Sequence, residues 1–223
     1  MFIGLLGGSF NPIHNGHLHI ANHVYQTLQL NQIIFIPTGD PPHKLATSLA
    51  PAHHRLQMVK LATESFEPFV VDDREALSRT VSYSVDTITH LKNTFPHGTN
   101  LGFIIGLDAF LELPSWKQAP HLLELCHFIV CSRPGVTFTQ LQSLPLLPST
   151  SLSSLQSLDQ QNATRLDIAL PSEKTITLLS VPPCEISASL IREHVALKRP
   201  IGQIGHWLPP TVESYIIQHQ LYQ

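Results

Sequence analysis

A chain of 223 residues with 43% hydrophobic and 13% charged side chains has ordinary globular composition and enough length for one full α/β core. Its formal charge of −3 excludes a broad nucleic-acid surface, which needs a basic face, while leaving room for one mononucleotide site with a few local cations. No apolar run approaches the ~20 residues of a membrane helix. The first residues carry neither a basic segment nor a small-residue cleavage site, so no signal peptide is expected. Three cysteines without a C-x-x-C pair (Cys126, Cys131, Cys184) read as reduced thiols of a cytoplasmic protein.

The apolar run Phe2-Ile3-Gly4-Leu5-Leu6 leads into Gly7-Gly8-Ser9-Phe10-Asn11-Pro12-Ile13-His14-Asn15-Gly16-His17, and an amphipathic pattern runs from Leu18 to Leu30. A strand, a glycine turn and a helix in this order deliver a phosphate site to a helix N-terminus. Gly7 and Gly8 let a ligand approach the backbone where a Cβ would collide with it. His14 and His17 stand three apart and share one face of the helix entry turn. Of the fourteen histidines, these two and His43 are set in loops defined by glycine or proline; the rest read as surface or hydrogen-bonded residues.

Gln32-Ile33-Ile34-Phe35-Ile36 reads as a buried parallel strand that stops at Pro37. The loop Thr38-Gly39-Asp40-Pro41-Pro42-His43-Lys44 is stiffened by its proline pair and holds Lys44 where an anion can sit. Residues 53–64 have helical spacing, with Leu56, Val59, Leu61 and Ala62 apolar against Arg55 and Lys60. Phe69-Val70-Val71 is a third strand, and Asp72-Asp73-Arg74-Glu75 reads as a solvated edge. Ser84 is the expected N-cap of a helix through Val85, Ile88 and Leu91. That entry, Ser82-Tyr83-Ser84, offers N–H groups to a carboxylate or to water.

Leu101-Gly102-Phe103-Ile104-Ile105-Gly106 is a fourth strand, with Asp108 just beyond its carboxyl end, where ligands of open parallel sheets lie. An acid there suits a ribose hydroxyl, an exocyclic amine or a metal. Leu113-Pro114-Ser115-Trp116 is a proline turn presenting a tryptophan, and Leu122 to Leu125 completes a helix. His127-Phe128-Ile129-Val130-Cys131 is a fifth strand ending in the polar, cationic Ser132-Arg133-Pro134-Gly135. Residues 138–164 form a Ser/Leu/Pro-rich insertion, expected as a short helix and a flexible loop. Ile176-Thr177-Leu178-Leu179 is a last strand. Ile186-Ser187-Ala188-Ser189-Leu190-Ile191-Arg192 opens a helix with serines at N-cap and N2, and Arg192 lies on the same side as Ser189. An amphipathic helix from Pro210 to Leu221 ends the segment 186–223. Without repeat or linker, residues 1–223 read as a single α/β domain: a doubly wound parallel sheet with a small C-terminal helical segment.

Residues 7–17 resemble the T/S-F-D-P-x-H-x-G-H signature of the nucleotidylyltransferases, and residues 186–192 resemble their second signature, I-S-S/T-T-x-I/V-R. Pro41-Pro42-His43-Lys44, Ser82 to Thr87, Phe103 to Asp108, Leu113 to Trp116 and Ile129 to Gly135 look like the bacterial nicotinate-nucleotide adenylyltransferases. The likeness spans nearly the whole chain outside the insertion. It implies a Rossmann-like fold of the HxGH type and, with magnesium, adenylyl transfer from ATP to nicotinate mononucleotide. Nicotinate adenine dinucleotide and pyrophosphate would be the products, on the way to NAD. Partners would be these small molecules, with no nucleic acid and no membrane; the oligomeric state is not legible. Asn11 replaces the usual Asp, Ser189 the usual Thr and Ala188 a hydroxyl residue.

The nucleophile of such a reaction is already an anion, so catalysis should rest on positioning and on neutralising phosphate charge. By the resemblance, His14, His17, Lys44 and Arg192 are catalytic. Gly7, Gly8, Ser9, Phe10, Gly106, Asp108, Ser132, Arg133, Ile186, Ser187 and Ser189 bind ATP. Lys44, Tyr83, Ser84 and Trp116 bind nicotinate mononucleotide, and magnesium is carried by phosphates without fixed protein ligands. Three alternatives remain open in the sequence. One is a sister transferase using phosphopantetheine, a cytidylyl donor or nicotinamide mononucleotide. The others are a nucleotide sensor without turnover and a transition-metal site at His14, His17 and His19.

Overall fold

The strands at Phe2–Gly8, Gln32–Pro37, Asn100–Gly106, His127–Cys131 and Thr175–Leu179 are runs of mostly apolar residues, and their burial follows that composition. In the computed structural model, which describes residues 1–39, 49–78, 80–199, 204 and 206–223, the elements run as follows. They are β1 (Phe2–Gly8), α1 (Asn15–Thr27), β2 (Gln32–Pro37), α2 (Ala52–Thr63), β3 (Phe69–Val71), α3 (Arg74–Leu77), α4 (Ser84–Thr94) and β4 (Asn100–Gly106). Then come α5 (Leu107–Leu111), α6 (Ala119–Leu125), β5 (His127–Cys131), α7 (Leu152–Asp159), β6 (Arg165–Ala169), β7 (Thr175–Leu179), α8 (Ala188–Ala196) and α9 (Pro210–Gln218). 3-10 turns lie at Leu113–Ser115 and Phe138–Ser143.

The strands form a seven-stranded sheet in the order β3-β2-β1-β4-β5-β7-β6. The pairs β2/β3, β4/β5 and β5/β7 are parallel. Consecutive residues are buried along β2, β4, β5 and β7, the pattern of strands covered on both faces. β6 departs from the expected all-parallel sheet, pairing with β7 antiparallel. The cause is the short connection between them, closed by Leu170 N–H to the Lys174 carbonyl at 2.8 Å with Glu173 at φ 62°. A link that short can only return the chain beside itself in the opposite direction.

The chain divides into two compact units, residues 1–5 with 83–183 and residues 6–82 with 184–223. In the first, Phe128 packs edge-on against Phe103 at 5.8 Å and tilted against Phe110 at 5.5 Å. Within residues 138–164 the expected short helix is α7, and Phe138, Leu141, Leu155 and Leu158 are buried. The Asp159 carboxylate accepts the N–H groups of Phe138 (2.6 Å) and Thr139 (3.1 Å). In the second unit, Phe35 lies between Phe10 (5.9 Å) and Phe69 (5.4 Å).

Three local expectations change. Tyr83, not Ser84, is the N-cap of α4, because its extended φ of −121° and ψ of 138° place Ser84 at the first helical position. Asp72 and Arg74 are not merely a solvated edge: Arg74 Nε donates to both Asp72 oxygens at 2.9 and 3.0 Å. Burial raises the Asp72 carboxyl, but the Arg74 hydrogen bonds and charge outweigh it and hold it below its ordinary value. Arg55 is 1% exposed and belongs to the buried face of α2 instead of its polar side. Among the described residues no helix is long and apolar enough to cross a membrane.

Candidate active site

In the second unit, β1 ends at Gly8 and the chain turns through Ser9 and Phe10 into α1. Phe10 takes a left-handed φ of 42°, unusual for a side chain with a Cβ, and is held there by burial of its ring. A Cβ on Gly8 would stand 3.3 Å from that ring. His14 is the extended N-cap of α1 and is 5% exposed. Its N–H donates to Nδ1 of the half-buried His17 at 3.2 Å, and the two rings lie 3.7 Å apart. A neutral His17 that accepts at Nδ1 carries its proton on Nε2, which is then a donor. Phe10 packs edge-on against His17 at 5.1 Å. A Cβ on Gly16 would come within 2.9 Å of His14 Nδ1, so glycine there leaves the room the ring occupies. The first turn of α1 holds no acidic residue, which keeps its dipole end open to an anion.

The second signature folds as expected. Ser187 is the N-cap of α8, its hydroxyl accepting the Leu190 N–H at 3.2 Å, and Ser189 sits exposed at N2. Arg192 donates from Nη2 to Ser189 Oγ at 3.2 Å and from Nη1 to the Asn11 carbonyl at 2.7 Å. That bond joins the two signatures, which lie far apart in the sequence. Ile186 is half-buried beside them.

Beneath the turn lies Arg55, which the sequence reading placed on the wrong side of its helix. Its Nη1 donates to the Ser9 carbonyl (2.7 Å), Nη2 to Gly39 (2.9 Å) and Nε to Ala50 (2.8 Å). One planar fork thus fixes the turn after β1 and the residues just after β2. The signal for it was present, since Arg55, Met58, Val59 and Ala62 follow i, i+3, i+4, i+7 spacing. His43 and Lys44 lie outside the described residues.

In the first unit, β4 passes into α5 at Gly106. A Cβ there would collide with Asp108 Oδ1 and lie 2.8 Å from Arg133 Nε. Arg133 Nε and Asp108 Oδ1 form an ion pair at 3.7 Å, too long for a hydrogen bond, and Arg133 Nε is itself buried without a hydrogen-bond partner, although both side chains are partly exposed. The Ser132 hydroxyl is engaged with Val181, donating to its carbonyl at 3.3 Å and accepting its N–H at 2.9 Å. At the α4 entry the Tyr83 carbonyl accepts the N–H groups of Asp86 and Thr87 at 3.0 and 3.2 Å. Lys117 Nζ stands 4.3 Å over the Tyr83 ring and 2.9 Å from Asp86 Oδ2. Trp116 is half-buried, edge-on to Phe103 at 6.2 Å.

Among the described residues no group of three or more His, Cys, Asp and Glu could hold a metal ion. His19 is exposed and stacks on His23 at 6.5 Å.

The cytidylyltransferase-like family model matches residues 5–194. A protein of Dehalococcoides mccartyi (strain CBDB1), named probable nicotinate-nucleotide adenylyltransferase, is 37% identical over 221 residues, covering 98% of this chain and 96% of that one. A relative of the same name from Shewanella frigidimarina is also 37% identical, over 100% of both chains. Among solved structures, the Plasmodium falciparum nicotinic acid mononucleotide adenylyltransferase complexed with NaAD is similar in fold. Its TM-score is 0.72 over 99% of this chain and 97% of that one, at 21% identity. The chain therefore belongs to the cytidylyltransferase-like family and, within it, to the nicotinate-nucleotide adenylyltransferases.

Proposed function

We propose that residues 1–223 act as one catalytic domain that moves the adenylyl group of ATP onto nicotinate mononucleotide, a step of NAD biosynthesis in the cytoplasm. The observation that carries this reading is the bond from Arg192 to the Asn11 carbonyl, which joins the His14/His17 helix entry to the Ser187/Ser189 helix entry within one unit. Two helix N-termini, two imidazoles and a guanidinium form a donor set for anions. The names of the full-length relatives supply the choice of acceptor.

In the reaction, an oxygen of the acceptor 5′-phosphate forms a bond to the α-phosphorus of ATP. The bond from that phosphorus to the bridging oxygen breaks, and its electron pair leaves with pyrophosphate. No base is needed, because the attacking oxygen is already ionised. His17 donates from Nε2 to a phosphate oxygen, with His14 beside it doing the same. Arg192 and Lys44 offset the charge that accumulates on the leaving pyrophosphate. Gly7, Gly8, Ser9 and Phe10 let the triphosphate lie along the turn after β1, while Ile186, Ser187 and Ser189 present the N-terminal groups of α8.

Neither signature stretch, 7–17 nor 186–192, contains a carboxylate, so its donors suit phosphate and not a bare cation. Magnesium would accordingly enter on ATP as part of the substrate, where it would offset part of the triphosphate charge. We assign Gly106, Asp108, Ser132 and Arg133 to the adenosine. Tyr83 and Ser84, with the free N–H groups at the entry of α4, go to the nicotinate carboxylate, and Trp116 to its ring. A tenfold preference for acid over amide needs only about 1.4 kcal/mol, within reach of one such contact.

The test offers the purified chain ATP with nicotinate mononucleotide, nicotinamide mononucleotide or phosphopantetheine and measures pyrophosphate. Release with nicotinate mononucleotide above the other two is expected. Release with phosphopantetheine alone would reassign the acceptor, and release with none would leave a nucleotide sensor. His17→Ala and Arg192→Ala should each cut turnover about a hundredfold or more while melting within a few degrees of wild type; normal turnover in both would remove the charge-neutralising roles.

A further inference from the structure

Asn11, 3% exposed, is the meeting point of three parts of the second unit. Its carbonyl accepts Arg192 Nη1 at 2.7 Å. Its side-chain Oδ1 accepts the Ala50 N–H at 3.0 Å and the Tyr222 hydroxyl at 3.0 Å. With the side chain held at two points and the carbonyl at a third, the peptide unit of Asn11 has one orientation. The guanidinium that leans on it has one orientation as well.

Tyr222 is brought there by specific structure. α9 is tied to α2 by Thr211 Oγ1 to the Leu61 carbonyl (3.3 Å) and by the Tyr215 hydroxyl with His54 Nδ1 (2.9 Å). The turn after α9 then uses two left-handed, non-glycine residues, Gln220 at φ 50° and Tyr222 at φ 65°. Such conformations are strained for residues with a Cβ and persist where the surroundings hold them. Leu221 between them is buried, which aims Tyr222 at the phosphate turn. Burial pushes the Tyr222 phenol up, against the pull of Arg192 and Arg55, so the hydroxyl stays a proton donor throughout the neutral range.

We propose that Tyr222 is a positioning residue for adenylyl transfer: by holding the Asn11 side chain it fixes the Asn11 carbonyl on which Arg192 is aimed. Tyr222 touches no reacting atom in this scheme and acts through Asn11 and Arg192 alone. The proposal rests on the phosphate role given to Arg192 above. It also gives a use to asparagine at position 11, whose Oδ1 accepts both donors without placing a negative charge beside the transferring phosphate.

Tyr222→Phe deletes one oxygen and keeps the ring, so packing is little disturbed. Losing one neutral hydrogen bond should lower kcat about threefold to tenfold, with KM for ATP and for nicotinate mononucleotide within about twofold and the melting temperature nearly unchanged. In an Arg192→Ala background the same substitution should have no further effect, because the group it positions is gone. A second reading needs no turnover: ¹⁵N resonances of the Arg192 guanidinium, assigned by their loss in Arg192→Lys, should show faster rotation in Tyr222→Phe than in wild type. Unchanged guanidinium signals, unchanged kcat, or a full effect persisting in the Arg192→Ala background would each overturn the proposal. A wild-type chain that releases no pyrophosphate would sink the functional reading by itself, while the guanidinium signals would still decide whether Tyr222 controls Arg192.

Discussion

Gly16→Ala separates packing of the reactive turn from stability of the helix. Gly16 is the second residue of α1, and a Cβ built on it would lie 2.9 Å from His14 Nδ1 and 3.0 Å from Cε1, against an ordinary contact distance of at least 3.4 Å. The ring must therefore retreat by about 0.5 Å. It cannot do so alone, because His14 is 5% exposed and its ring lies 3.7 Å from that of His17. Both imidazoles shift together. Alanine in place of a helical glycine returns up to about 0.5–1 kcal/mol through a less flexible unfolded chain. That gain offsets a strain of similar size, so the melting temperature should move by only a few degrees. Catalysis has no such compensation, since displacing a donor by a fraction of an ångström costs roughly 10- to 100-fold in rate. Steady-state pyrophosphate release and thermal unfolding on the same preparations check both halves. Turnover within about twofold of wild type in a normally folded variant would refute the packing constraint on His14.

Arg55→Met removes the donors to the carbonyls of Ser9, Gly39 and Ala50 and leaves them buried, so unfolding free energy should fall by about 3 kcal/mol or more; a loss under about 1 kcal/mol in denaturant melts would show that the fork is dispensable. Burial pushes the Cys126 and Cys131 thiols up to about 12, so a thiol reagent near neutral pH should modify Cys184 alone in the folded chain and all three after unfolding, as peptide mass mapping would read. Fast labelling of Cys126 or Cys131 in native protein would contradict their burial. His127 is held below its ordinary value by burial first and by Lys174 second, and its Nδ1 accepts the Thr175 N–H at 3.1 Å. The folded chain therefore binds its proton less readily than the unfolded one. The His127 contribution is complete above the unfolded value of 6.5 and is lost as pH falls below it through the lowered folded value. The melting temperature should decline on acidification across that window, and the decline should be shallower in His127→Asn; equal slopes would refute the assignment.

The local frame of the candidate site was legible because its residues sit at chain features with local rules. Glycines 7, 8 and 16, the two histidines at an entry turn, and serines at N-cap and N2 of α8 declare themselves through spacing, and the helices form where that spacing requires. Arg55 was misread because a charge was taken as polar before its place on the i, i+3, i+4, i+7 face was counted. The β6 strand was missed because an edge strand buries only alternate residues, and of Arg165-Leu166-Asp167-Ile168-Ala169 only Ile168 is buried. Tyr222 had no local signal: its role depends on which turn a tertiary fold brings it to, and nothing in the spacing of α9 announces residue 11. Tyr83 displaced Ser84 as N-cap for a related reason, since capping is decided by where the backbone leaves the extended region rather than by which residue has the better capping side chain.

The central claim is attack at the α-phosphorus of ATP by the phosphate of nicotinate mononucleotide. It is tested most directly by following label from ATP carrying ³²P at the α position or at the γ position, with the purified chain and this acceptor. The account predicts that α label enters a dinucleotide product in step with acceptor consumed, while γ label appears only in pyrophosphate. Label from the γ position on the acceptor, or α label released as AMP without a dinucleotide, would contradict it.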